Sequence, residues 1–169
     1  MRTDLPVTIR TKLEPGDLGY IAYLHGCLYA EEYGYGLFFE NYVLGALHEF
    51  ANAYDPAKDG IWVCEHKKTK VGFLVAAHRD DTVQLRFLIL LPEYRGMGLA
   101  KRLMDLFIAF MRDRGYRKAY LWTTTEQQNA IAMYERYGFR LKEEKESMAF
   151  DKLLTERRYD LSLQAIGPG

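Results

Sequence analysis

Apolar and polar residues alternate from Val7 to Leu13, the period of a half-buried strand. Pro15-Gly16 breaks the pattern, and Asp17 reads as the N-cap of a helix from Leu18 to about Ala30. Gly34 and Gly36 interrupt, and Phe38 to Ala53 follows as a second helix. Ile61–Glu65 and Val71–Ala77 read as strands around a Lys67-Lys68-Thr69-Lys70 turn, and Asp80-Asp81 marks the turn into a strand from Val83 to Leu91. From Leu99, the positions Leu103, Leu106, Phe107, Phe110 and Met111 recur at three- and four-residue steps, one buried helix face that ends at Gly115. Ala119–Thr123 reads as a strand, Asn129–Tyr137 as a helix, and Phe139 to about Phe150 and Arg158–Leu163 as the last strands. The order β-α-α-β-β-β-α-β-α-β-β predicts an α/β (α+β) layer fold, a mixed, mostly antiparallel sheet flanked by helices.

Composition narrows the picture. A chain of 169 residues suits one domain with a full core, residues 1–169 with the folded part about 5–164 and a tail at 165–169. Lys and Arg number 23 and so do Asp and Glu, so no global charge draws the chain to nucleic acid or membrane and any anion site must be local. The apolar stretches are too short to span a bilayer, and no apolar signal core follows Met1-Arg2-Thr3-Asp4. Cys27 and Cys64 stand in unrelated contexts without metal-ligand spacing. They read as buried, inert thiols of a reduced, cytoplasmic chain that needs no metal.

The densest chemistry lies where the apolar strand Leu88-Ile89-Leu90-Leu91 ends at Pro92 and a short turn, Arg95-Gly96-Met97-Gly98, opens directly into the helix at Leu99-Ala100. A helix N-terminus leaves backbone N–H groups unpaired, and the two glycines let a ligand approach the backbone closely. The adjacent arginine adds a charged donor, and the whole reads as a pyrophosphate cradle. No Lys-Ser/Thr follows the glycines, and the three glycines of the dinucleotide fingerprint are missing, which excludes both of those motifs.

Arg95, two residues, Gly98, one residue and Ala100 resemble the acetyl-CoA pyrophosphate loop of the GNAT superfamily of N-acetyltransferases. The block Ala130-Ile131-Ala132-Met133-Tyr134-Glu135-Arg136-Tyr137-Gly138-Phe139 resembles that superfamily's late helix, which carries a Tyr and ends in Gly-Phe before a strand. The element order is GNAT-like, and the resemblance covers nearly the whole chain. His25-Gly26-Cys27-Leu28-Tyr29-Ala30-Glu31-Glu32-Tyr33-Gly34 and Leu121-Trp122-Thr123-Thr124 are most similar to the acetyltransferase halves of MarR–GNAT fusion proteins.

The resemblance implies acetyl-CoA as co-substrate, its pyrophosphate on the backbone of Arg95, Gly96, Met97, Gly98, Leu99 and Ala100. It places Lys101 and Arg102 toward the 3′-phosphate, unless they only face solvent. The pantetheine arm would pair with the backbone at Leu88 and Leu90, whose side chains read as core. Tyr134 is implied as the general acid that protonates the leaving thiolate. Relatives often carry an Asn seven residues before this Tyr; Gln127 holds that place here and Asn129 lies two residues on, so either amide is open as the pantetheine contact. The base is open among Glu31, Glu32 and His25, with Glu32 matching the branch best. An acceptor wall from Tyr29 to Phe38, with Glu32 flanked by Tyr29, Tyr33, Tyr35 and Phe38, suits a cationic amine with an apolar body. The implied reaction moves an acetyl group to a primary amine of a small molecule or peptide. The alternatives are a non-catalytic acyl-CoA-sensing or interaction module and, against the neutral charge, an aminoacyl-tRNA-acetylating toxin-type enzyme. The partners this allows are a homodimer and a separate MarR-type regulator, with no membrane and no direct nucleic-acid contact.

Overall fold

The computed structural model describes residues 6–165. Residues 1–5 and 166–169, with the start of the expected core at Leu5 and most of the expected tail, lie outside the described residues. The elements are β1 (Thr8–Arg10), α1 (Asp17–Tyr33), α2 (Leu37–Ala53), β2 (Gly60–His66), β3 (Thr69–Arg79), β4 (Thr82–Leu90), α3 (Leu99–Arg114), β5 (Lys118–Thr124), α4 (Gln128–Arg136), β6 (Arg140–Ser147) and β7 (Leu154–Ser162). They form one sheet in the order β1-β2-β3-β4-β5-β7-β6, antiparallel except at β4–β5. This is the expected order of elements and the expected class of sheet.

The sheet carries a core on each face. Helices α1 and α2 bury Ile21, Leu24, Phe39 and Val43 against Phe73 and Val75, while α3 and α4 bury Leu103, Phe107 and Ile131 against Leu74 and Ala76. Alternate residues of β3 therefore serve opposite cores, which is why its sequence is a continuous apolar run rather than an alternation. The edge strand β6 is its opposite: Arg140 to Glu146 are all exposed.

Three boundaries differ from the sequence reading, each for a tertiary reason. Asp17 is not a cap. Gly16 holds the N-cap position in the left-handed region at φ 92°, and no side chain caps α1. The Asp17 carboxylate is instead fully buried, accepting from the Arg10 guanidinium (2.9 Å), Lys70 Nζ (2.8 Å) and the Glu14 N–H (2.7 Å). The turn between β2 and β3 is only Lys67-Lys68, both at positive φ, so Thr69 and Lys70 join the strand. The last two strands meet at a loop, 148–153, whose Phe150 turns into the α1–α2 core.

The Asp17 cluster ties β1, α1 and β3 together, and it should respond to acid. Burial opposes the charge, but the Arg10 and Lys70 hydrogen bonds and the Glu14 N–H outweigh it and lower the carboxyl from 3.8 to about 2. A group held below its ordinary value stabilises the fold above that value, and the contribution is lost as pH falls from about 4 toward 2. Asp17→Asn should cost about 2–3 kcal/mol at neutral pH in urea unfolding, and the gap to wild type should narrow toward pH 2.

The middle of the sheet is incomplete. Parallel β4 and β5 pair only at Val83↔Ala119 and Gln84↔Tyr120. Beyond them β4 carries a bulge against β3, where Val75 faces Arg86 but Phe73 faces Ile89, and Phe87 sits at φ 54°. A bulge bends its strand and raises the local twist, so β4 leaves β5 and the sheet opens between them.

Candidate active site

Two clefts that share part of their lining lie along this split. One is lined by Tyr29, Glu32, Tyr33, Leu88, Ile89, Leu90, Arg95, Gly96, Ala100, Gln127, Asn129, Met133 and Tyr134 and holds about 1020 Å³ of open space. The other, about 790 Å³, is walled by aromatics from four regions, among them Tyr35, Phe39, Phe87, Trp122 and Phe150. Tyr29, Leu88, Gln127 and Tyr134 line both.

The first cleft ends at the N-terminus of α3. A short 3-10 turn, Pro92–Tyr94, follows β4, with the Arg95 N–H donating to the Pro92 carbonyl (3.2 Å). Gly96 and Gly98 then adopt left-handed φ of 71° and 79°, and a Cβ at either would meet open space. No side chain caps α3, whose first backbone bond joins the Arg102 N–H to the Gly98 carbonyl. The N–H groups of Leu99, Ala100 and Lys101 precede that bond and point out of the helix end, where the helix dipole adds its partial positive charge. A phosphate fits such an end.

Several expected contacts are placed differently. Arg95 folds back, its Nε donating to the Leu90 carbonyl (3.2 Å) and its Nη2 pairing with Glu32 (2.7 Å). The Arg95 backbone N–H is already bonded to the Pro92 carbonyl, and Leu88 is the β4 residue that reaches both clefts. Glu32 lies with Arg95 on the helix-end side and not in the aromatic cleft. Tyr29 and Glu32, three residues apart, share the α1 face that lines the first cleft, and only Tyr29 also reaches the aromatic cleft. Lys101 pairs with Asp105 (2.9 Å), and Arg102 donates to the Val7 carbonyl (3.0 Å); neither side chain lines a cleft. Gln127 lines both clefts and Asn129 only the first. Glu31 and Met97 are both exposed.

The aromatic cleft is also not the expected Tyr29–Phe38 wall. Tyr29, Tyr35 and Phe39 line it, with Tyr29 stacked on Phe39 at 4.8 Å, whereas Phe38 is 65% exposed and Tyr33 belongs to the first cleft. The Tyr35 hydroxyl lies 2.8 Å from Thr124 Oγ1 and so joins α1–α2 to β5. His25 lines this cleft. Its Nδ1 is 2.8 Å from the Ile21 carbonyl and must donate, which leaves the lone pair on Nε2. Burial lowers its pKa to about 4 against the opposing Ile21 bond, so the ring is neutral at physiological pH. Gln84, Arg86, Phe87, Phe150 and Glu156 were not legible as site residues; they reach the cleft through the β4 bulge, the 148–153 loop and β7.

Tyr134 is 6% exposed at the junction of the clefts, its ring 5.9 Å from Phe139. Burial, with the neighbouring Tyr33, pushes its phenol well above the usual value, so the hydroxyl keeps its proton at all ordinary pH and can donate. Cys64 is buried and pushed up to about 12 by desolvation, an inert thiol as expected. Cys27 departs from that expectation: it is exposed on α1.

The sheet is thus split at its parallel seam, over an uncapped helix end, with a buried phenol where two clefts meet. The profile of the acetyltransferase (GNAT) family matches residues 21–139, and the chain belongs to that family. It is 33% identical over 97 residues to an uncharacterized N-acetyltransferase, YjgM, of Escherichia coli, covering 55% of this chain and 58% of that protein. To human N-acetyltransferase 8 it is 36% identical over 85 residues, 47% of this chain and 37% of the other. The chain thus spans about half the length of the curated relatives it matches. Among solved structures, a GNAT acetyltransferase from Elizabethkingia anophelis with acetyl-CoA bound has the same fold, with a TM-score of 0.66 at 13% identity over 93% of this chain and 98% of that one. Among the described residues, no helix is long and apolar enough to cross a membrane.

Proposed function

We propose that this protein transfers the acetyl group of acetyl-CoA to a primary amine of a small molecule or peptide. The observation that carries the reading is the position of Tyr134, a buried, protonated phenol where a helix-end cleft and an aromatic cleft meet. Acetyl-CoA lies in the first cleft, with its pyrophosphate on the N–H groups of Leu99, Ala100 and Lys101 and its pantetheine arm as an added strand along Leu88. Gln127, which reaches both clefts, holds the arm near the thioester. The amine enters through the aromatic cleft. Its nitrogen forms the new bond to the acetyl carbon as the C–S bond breaks, Tyr134 gives its proton to the departing thiolate, and the proton of the amine leaves to solvent. The segments 25–34 and 121–124, similar to those of MarR–GNAT fusions, contribute His25, Tyr29, Trp122 and Thr124 to facing walls of the aromatic cleft, which supports a related acceptor site.

The direct test is acetylation of an amine panel by the purified protein, with thiol release and product mass both followed. Acetylated product supports the reading. Acetyl-CoA binding without product from any amine overturns it in favour of an acyl-CoA sensor.

The Glu32–Arg95 pair bears on the same cleft. A carboxylate beside a phosphate site weakens anion binding and occupies the arginine. Glu32→Gln should therefore tighten acetyl-CoA binding by about three- to tenfold at low salt, with the gain shrinking in high salt. Calorimetry at two ionic strengths reads it, and weaker binding by the variant would show that the pair instead holds the turn in its binding shape.

A further inference from the structure

The aromatic cleft contains an arginine that nothing in the fold requires. Arg86 is half-buried on β4, one residue before the left-handed Phe87. Its guanidinium lies over the Phe87 ring at 5.0 Å from the centroid, and one nitrogen is 3.4 Å from the Tyr42 hydroxyl. Both partners position the group, and neither neutralises it. Three other strand arginines differ: Arg79 pairs with Glu49, Arg157 with Glu144 and Arg158 with Asp160, while Arg86 has no ion-pair partner among the described residues. The carboxylate in the cleft lining, Glu156, stands directly opposite Lys145 across the β6–β7 ladder. The Lys145 ammonium in turn covers the Trp122 ring at 4.7 Å. Glu156 forms no ion pair with Arg86, whose charge is left without a carboxylate partner in the cleft lining.

We propose that the acceptor is an amine that also bears a carboxylate, bound by Arg86, on an apolar body the size of an aromatic ring. This rests on the acetyl-transfer reading above and names its acceptor class. The body fits between Tyr35, Phe39, Phe87, Trp122 and Phe150, where aromatic contact adds affinity beyond buried area. The planar guanidinium fork matches an oxyanion through two parallel hydrogen bonds, and stacking on Phe87 fixes the plane of that fork in advance. Phosphate and carboxylate share this chemistry. Glu156 in the same lining repels a second negative charge, which selects the singly charged carboxylate. The amine is then left pointing inward, toward Tyr134 and the neutral, lone-pair-bearing His25.

The test uses the whole chain with acetyl-CoA and sets of matched amines: phenylalanine, its carboxamide, phenethylamine and its aminophosphonate counterpart, with homologues one and two carbons longer between amine and acid. The expected result is a kcat/KM for the best carboxylate about ten- to a hundredfold above its carboxamide. Arg86→Gln should bring that ratio near one, Arg86→Lys should restore part of it, and acetyl-CoA affinity serves as the folding control. Carboxamides or simple amines matching the acids in the wild-type protein would overturn the carboxylate assignment, as would a preference for the phosphonates. A carboxylate preference that survives Arg86→Gln would overturn the role of Arg86. Failure of every amine, with or without a carboxylate, falls instead on acetyl transfer itself and takes this acceptor class with it.

Discussion

A Gly98→Glu variant is expected to lose acetyl-CoA binding by a factor of at least about a hundred. Gly98 ends the turn before α3 at φ 79°, and the position its Cβ would take is open space. A glutamate there extends into the volume in front of the Leu99, Ala100 and Lys101 N–H groups. It puts a negative charge where the pyrophosphate would sit, and its carboxylate can cap the helix end in the ligand's place. The left-handed backbone costs a side chain roughly 1–2 kcal/mol, well short of the 5–15 kcal/mol that typically holds a domain folded. Calorimetry on a variant with a native circular dichroism spectrum separates the effects. Gly98→Ala carries the same backbone cost without charge or reach, and it should lose far less. Wild-type affinity in the glutamate variant would remove the turn from the cofactor site.

Tyr134→Phe should lower kcat by roughly ten- to a thousandfold, or about 1–4 kcal/mol of barrier, with little change in KM for acetyl-CoA. The substitution keeps the ring and its edge-on contact with Phe139, so it removes only the hydroxyl. Because burial raises the phenol above its ordinary value, the donor proton stays in place as pH rises through the working range, and the wild-type kcat should show no alkaline fall from this group up to pH 10. Single-turnover measurement keeps product release from masking the step. A variant with wild-type chemistry would leave the thiolate to be protonated by water.

The parts of this protein legible in its sequence are those set by local rules. The helix of Leu103, Phe107 and Met111 shows its buried face at helical spacing, and Gly115 ends it in a left-handed cap. The Arg95–Ala100 turn is readable because glycines at fixed spacing have one conformational use there. What escaped depends on residues far apart in the chain. Asp17 has the composition of a cap, but Arg10 and Lys70 draw its carboxylate inward. Glu32 sits beside Tyr33 in sequence, yet Arg95 claims it across more than sixty positions. No periodicity announces a bulge at Phe87, and that bulge both opens the sheet and delivers Arg86 and Phe87 to the aromatic cleft. The aromatic cleft is assembled from α1, α2, α4, β4, β5, β7 and loops, so no single segment carries its signature.

The strand edges of this sheet are unequally guarded. At one outer rim β1 offers three residues, and at the other β6 presents Arg, Lys and Glu along its exposed length, devices that discourage a neighbouring chain from adding a strand. The long unpaired edge that remains, on β4 past Gln84, is turned inward between two clefts where another folded chain cannot reach it. The fold thus keeps its longest inner strand edge in the slot between β4 and β5, open to main-chain pairing with an extended ligand and shielded from a neighbouring chain.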